Sequence, residues 1–128
     1  MKILGIGVDI VKNNRFKILT RKGNFIFRTF SKNEINFSKK KKLKIAFFAK
    51  RFAAKESFSK SLGTGIRDNL IFKDIEILND KFGKPYFRKT KKINNLIYKK
   101  FKVKKYNLFL SISDEKDYSI AFTVIQNR

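Results

Sequence analysis

Alternation opens the chain. Over residues 2–10, Leu4, Ile6, Val8 and Ile10 fall on one side of an extended strand, and Gly5, Gly7 and Asp9 on the other. The second side is bare until its last residue, so the two glycines leave room for something to approach the backbone closely. A bulge or a tight contact with a helix would account for the same pair. Residues 11–20 read as a short helix with Val11, Ile18 and Leu19 inward and Lys12, Arg15 and Lys17 outward. Ser31-Lys32-Asn33-Glu34 is a capping box and predicts a helix start near Ser31. The principal helix spans about Lys44 to Leu62, with Gly63 where a left-handed cap belongs. Residues 70–78 read as a strand, Asn79 to Gly83 as a turn, and Lys84 to Arg88 as a returning edge strand that tolerates Pro85. Ile93, Leu96, Ile97 and Phe101 recur at helical spacing, and Tyr106–Ser113 with Tyr118–Gln126 form a closing hairpin. Helices mixed with hairpin strands predict an α+β fold with an antiparallel sheet around a long helix.

The segment from Arg51 to Gly65 carries the most chemical information. Glu56 and Lys60 are four residues apart on one helix face, and Phe52 precedes Glu56 by a turn. A carboxylate beside phenylalanine and flanked by Lys55 and Lys60 suits a metal-assisted site for a phosphorylated ligand. Asp9 ends a strand on a glycine-cleared side. Two hard oxygen ligands from separate elements, completed by water and phosphate, are how Mg²⁺ is usually held. The plainer reading makes Glu56 and Lys60 an ordinary helix ion pair and Asp9 a strand-end residue. Gly63-Thr64-Gly65 and Gly83-Lys84-Pro85 could let backbone approach phosphates, but neither matches a P-loop or a dinucleotide fingerprint.

Composition narrows the chemistry. With 128 residues and a hydrophobic fraction of 42%, one folded domain over 1–128 is expected. No apolar run approaches the ~18 residues of a membrane span, and the N-terminal apolar stretch is too short for a secretory signal. The chain contains neither cysteine nor histidine. Thiolate nucleophiles, disulfides and imidazole bases are therefore excluded. The net charge of +22 favours an anionic partner. Its lysines occur with abundant Asn, Ile and Phe, the mixture an AT-rich coding bias produces, so the charge points to no single partner. Phe47-Phe48-Ala49-Lys50-Arg51-Phe52 interleaves rings and cations as a base-stacking surface would, although such rings are more often core.

Several segments together resemble the holo-[acyl-carrier-protein] synthase family, the small phosphopantetheinyl transferases. They are Gly5-Ile6-Gly7-Val8-Asp9-Ile10-Val11, Arg51 to Glu56 with Lys60, Leu62-Gly63-Thr64-Gly65-Ile66, Asn79-Asp80 with Gly83-Lys84-Pro85, and Leu110 to Asp114 before Tyr118-Ser119-Ile120-Ala121. Their order and spacing agree with the family over nearly the whole chain. The resemblance implies transfer of 4′-phosphopantetheine from coenzyme A to a serine of apo acyl carrier protein, for fatty acid biosynthesis, with release of adenosine 3′,5′-bisphosphate. It implies Asp9 and Glu56 as Mg²⁺ ligands and, with Lys60, as the catalytic set. Lys60, Gly63, Gly65, Lys84 and Pro85 would meet coenzyme A, and Arg15 the acidic carrier protein. It also implies a cytoplasmic homotrimer. Two positions depart from the family pattern. Asp114 stands where many relatives have histidine after the last Ser-x-Ser, and Lys12 stands where an acid is common. The serine proton would pass to a carboxylate or to water polarised by the metal, since no imidazole exists. The rival reading is a small basic nucleic-acid-binding protein without catalysis, which would have no use for Asp9 and Glu56 converging on one ligand.

Overall fold

The computed structural model describes residues 1–64 and 70–128. The elements in chain order are β1 (Ile3–Lys12), α1 (Arg15–Leu19), α2 (Phe25–Thr29), α3 (Lys32–Ser38), α4 (Lys44–Leu62), a single 3₁₀ turn (Phe72–Asp74), β2 (Ile77–Asn79), β3 (Pro85–Phe87), α5 (Lys91–Phe101), β4 (Tyr106–Asp114) and β5 (Tyr118–Asn127). The fold is α+β. One antiparallel sheet has the order β1-β5-β4, and β2 with β3 makes a second, two-stranded antiparallel sheet. The long helix α4 packs against β1 and β5 and fills the centre of the molecule. Phe47, Phe48, Ala53, Ala54, Phe58 and Leu62 are all buried along it. Two rings of the supposed base-stacking surface, Phe47 and Phe48, are therefore core.

The side of β1 that faces the core is the glycine side. Gly7 is buried against α4, whereas Ile6, Val8 and Ile10 are 61%, 54% and 58% exposed. Their cross-strand partners Val124, Phe122 and Ile120 share that outer face by register, and Phe122 and Ile120 are exposed as well. The sheet thus presents its most apolar side to solvent. Among the described residues no helix is long and apolar enough to cross a membrane.

Three local expectations need correction. Val11 belongs to β1, which runs on to Lys12, and the following helix starts only at Arg15. In that helix Phe16 is the buried residue while Ile18 points outward at 61% exposure. Residues 70–78 are strand only at their end. Lys55 Nζ donates to the carbonyls of Phe72 at 2.9 Å and Ile75 at 2.6 Å, and the Ile71 amide donates to Asp74 Oδ2 at 3.0 Å. Backbone groups committed to a buried cation and to a local turn cannot extend a sheet ladder.

That cation sits in a buried ionic cluster. Glu34 completes the capping box of α3: its Oε1 accepts from the Ser31 amide at 2.9 Å, and its own amide donates to Ser31 Oγ at 3.2 Å. The same carboxylate accepts from Lys55 Nζ at 2.7 Å and from the Ile77 amide at 3.2 Å. Both side chains are fully buried. Burial pushes the Lys55 ammonium below its ordinary pKa, and Glu34 opposes that shift. One ion pair therefore ties α3, α4, the 3₁₀ turn and β2 together. Removing one partner of such a pair strands the other charge and costs about 3–5 kcal/mol. Lys55→Met should lose stability on that scale in urea unfolding, and Glu34→Gln combined with Lys55→Met should lose less than the sum of the two single changes. Strict additivity would show that the pair is not coupled.

Candidate active site

The site is built by a strand and a helix in unusually close contact. A Cβ on Gly7 would lie 1.9 Å from the Ser57 carbonyl oxygen, and one on Gly5 would lie 2.0 Å from that of Ser61. No side chain fits at either position. The face of α4 turned toward the sheet is correspondingly small: Ala53, Ser57 and Ser61 recur every four residues, and all are buried. Ser57 Oγ shares a hydrogen bond of 2.6 Å with Thr123 Oγ1 on β5, which fixes the helix over the sheet. Of the two explanations for the glycines, the tight helix contact is the one realised; a register irregularity also occurs, between Ile3 and Gly5.

Asp9 lies two residues beyond Gly7 on the same side of β1, so its carboxylate is delivered to α4 beside Glu56 and Lys60. Lys60 Nζ donates to Asp9 Oδ1 at 3.0 Å and to the Val8 carbonyl at 3.2 Å. The ion pair on this helix thus reaches across to the strand rather than joining Glu56 to Lys60. Glu56 is half-buried. Desolvation pushes its carboxyl above the ordinary carboxylate range, the Asp9 charge pushes it further, and Lys60 pulls it back. Asp9, Glu56 and Lys60 are therefore one electrostatic unit. Lys55, which flanks Glu56 in sequence, turns to the opposite side of α4 and belongs to the buried cluster with Glu34.

Among the described residues no group of three or more Asp, Glu, His or Cys side chains comes together. Two carboxylates suit a hard cation that keeps several water or phosphate oxygens, as Mg²⁺ does, and would not satisfy a structural zinc centre. The donor set therefore fits the implied metal. Gly63 caps α4 with φ 76° and donates its amide to the Lys60 carbonyl at 3.0 Å, immediately after the turn that carries Lys60. Gly65 lies outside the described residues. Lys84 and Pro85 are on the β2–β3 hairpin, a sheet separate from the one that bears Asp9. The hairpin tip is rigid: Asp80 Oδ1 accepts from the Phe82 and Lys84 amides at 2.8 and 2.9 Å. Arg15 is exposed at the start of α1, near Ile18 in sequence.

Sequence reasoning passed over two contributors. Asn13, buried, donates from Nδ2 to the Glu115 and Lys116 carbonyls at 3.1 Å each and accepts from Ser119 Oγ at 2.7 Å. It clamps the β4–β5 turn, which follows Asp114, to the end of β1. Nothing in its own neighbourhood announces this. The small face of α4 was legible in principle, because Ala53, Ser57 and Ser61 repeat at helical spacing. Asp114 also lines a groove of about 960 Å³ whose walls include Lys17, Lys42 and Lys44.

Asp9 and Glu56, from separate elements, converge beside Lys60 in an α+β fold. The chain belongs to the 4′-phosphopantetheinyl transferase superfamily, whose model matches residues 5–123. It is 56% identical to the holo-[acyl-carrier-protein] synthase of Pelagibacter ubique over 128 residues, covering all of both chains. Among solved structures it is similar to the holo-[acyl-carrier-protein] synthase of Neisseria meningitidis, with a TM-score of 0.87, 34% identity and coverage of 98% of this chain and 100% of that one. It is also similar to the Bacillus anthracis enzyme in complex with CoA (3′,5′-ADP), with a TM-score of 0.81, 35% identity and coverage of 98% of each.

The shift on Glu56 has a stability consequence. A carboxyl whose folded pKa is raised is penalised in its charged form by folding. Its favourable contribution is full below the unfolded value and is lost as pH rises through the folded one. The window therefore opens upward from the ordinary value of 4.5. Without divalent cations, Glu56→Gln should melt higher than the unsubstituted protein near neutral pH, and the difference should shrink toward that value. Thermal scans across this range check it; a lower melting point for the variant near neutrality contradicts the assignment.

Proposed function

We propose that this protein transfers the 4′-phosphopantetheine group of coenzyme A to a serine hydroxyl of apo acyl carrier protein, with Asp9 and Glu56 holding Mg²⁺. The observation that carries the residue assignment is the convergence of Asp9, Glu56 and Lys60 across the β1–α4 contact, in a chain with full-length similarity to holo-[acyl-carrier-protein] synthases. When bound, the cation would neutralise charge on the diphosphate of coenzyme A and on the leaving bisphosphate. Asp9 and Glu56 would fix it from two elements whose spacing is set by backbone. Lys60, with an exposed and flexible stem, would donate to phosphate oxygens. Gly63, Gly65, Lys84 and Pro85 would complete the coenzyme A contacts. The serine proton goes to a carboxylate or to water, the acceptors that a chain without imidazole can offer.

Arg15 would meet the carrier protein. Arg15, Lys17, Arg21, Lys22 and Arg28 are all exposed around the outward-facing Ile18 and Phe27, a combination that suits an acidic partner with some apolar surface. The exposed apolar face of the sheet supports a homotrimer in which copies of this chain cover Ile6, Val8, Ile10, Ile120 and Phe122. The whole chain, 1–128, would act as one transferase domain in the cytoplasm.

Apo acyl carrier protein incubated with coenzyme A, Mg²⁺ and this protein should gain the mass of phosphopantetheine by intact-mass spectrometry. Asp9→Asn and Glu56→Gln should each lower the rate by at least about 100-fold while keeping the native circular dichroism. A competent carrier left unmodified, together with tight and salt-sensitive RNA binding, would favour the nucleic-acid reading instead. For the assembly, light scattering should return three copies, and Phe122→Lys should return one. A variant that stays trimeric would move the interface elsewhere.

A further inference from the structure

Lys60 holds an unusual position for a residue expected to serve phosphate. Its ammonium lies on Asp9 Oδ1 and is held by a second acceptor, the Val8 carbonyl, on the same strand. The two partners differ in freedom: the Lys60 side chain is 55% exposed, and the Asp9 side chain 14%. The shielded carboxylate is fixed by β1, while the cation stands on a flexible stem reaching in from solvent. One ammonium faces two carboxyl groups at this site.

A small divalent ion such as Mg²⁺ binds its oxygen ligands at about 2.1 Å. An ion on Asp9 Oδ1 would then crowd an ammonium hydrogen-bonded to the same oxygen, with like-charge repulsion added. We infer that Lys60 is an exchangeable counter-ion for Asp9: a divalent cation displaces its ammonium, and the freed ammonium moves to the anion that arrives with the metal. This inference rests on Asp9 and Glu56 being the metal pair. It makes the protein a poor binder of the bare cation and couples metal binding to diphosphate binding, because each ligand provides what the other's arrival requires. Lys60 is thus a positioning residue for the metal as well as a phosphate contact.

The test is Mn²⁺ titration of the full chain by calorimetry, with and without coenzyme A. Lys60→Met keeps the aliphatic stem and removes the charge; Lys60→Arg keeps the charge. Without coenzyme A, Lys60→Met should bind Mn²⁺ about three- to tenfold more tightly than the unsubstituted protein, and Lys60→Arg about as weakly as it. With coenzyme A present, the gain in Mn²⁺ affinity should be smaller in Lys60→Met than in the unsubstituted protein. Adding Asp9→Asn to Lys60→Met should erase the tighter binding. If Lys60→Met binds Mn²⁺ no more tightly than the unsubstituted chain while Asp9→Asn still abolishes binding, the exchange is wrong and the metal pair stands. If Asp9→Asn and Glu56→Gln leave Mn²⁺ binding unchanged, the metal pair falls and the exchange falls with it.

Discussion

The backbone-to-backbone approach of β1 and α4 is the constraint on which the rest depends. With Gly7 against the Ser57 carbonyl and Gly5 against that of Ser61, the strand and helix are closer than any side chain between them would allow. Asp9 on one element and Glu56 on the other then fall within one another's field, and Lys60 reaches Asp9 from the same helix as Glu56. Such rigidity would suit the proposed Mg²⁺ site, because Mg²⁺ tolerates little deviation from its preferred geometry. The Ser57–Thr123 hydrogen bond adds a lateral pin, so the helix is fixed both in distance and along the sheet.

The opposite side of α4 solves a different problem. The helix carries Arg51 and Lys55 into the interior, where unpaired charge is expensive. Glu34 answers Lys55, the carbonyls of Phe72 and Ile75 take its remaining protons, and Asn79 accepts from Arg51. A buried pair of this kind is a weak source of net stability, but it constrains the fold, since Lys55 needs its three acceptors in place at once. Here it fixes the place of the 3₁₀ turn and of β2 relative to the helix. Successive residues on one helix therefore meet different surroundings: Lys55 enters the buried cluster with Glu34, and Glu56 lies beside Asp9 and Lys60.

Much of this was legible in the sequence because local rules and tertiary structure agree. The extent of α4, its Gly63 cap, the Ser31–Glu34 capping box, α5 and the closing hairpin all follow from periodicity and capping chemistry. The site acids could be singled out by their surroundings, and the resemblance joined them. What could not be read is where long-range contacts override pattern. Alternation in β1 separates two faces but does not say which is inner. The apolar one faces outward because the glycine one has the helix. The stretch at 70–78 has strand composition, but its carbonyls are taken by a lysine 17 and 20 residues earlier. Glu34 advertises a cap, and nothing local reveals that the same carboxylate also neutralises Lys55. The hold of Asn13 on the β4–β5 turn spans more than 100 positions and leaves no local trace.

The missing side chains on β1 carry a wider consequence. Because the distance between the two site-bearing elements is dictated by main chain atoms, it is insulated from changes of side-chain size or charge elsewhere. Substitutions on the exterior can accumulate without altering the spacing of Asp9 and Glu56. Gly5 and Gly7 are then the positions least able to accept a side chain, and the exterior of a chain of +22 charge can vary around a frame whose dimensions they set.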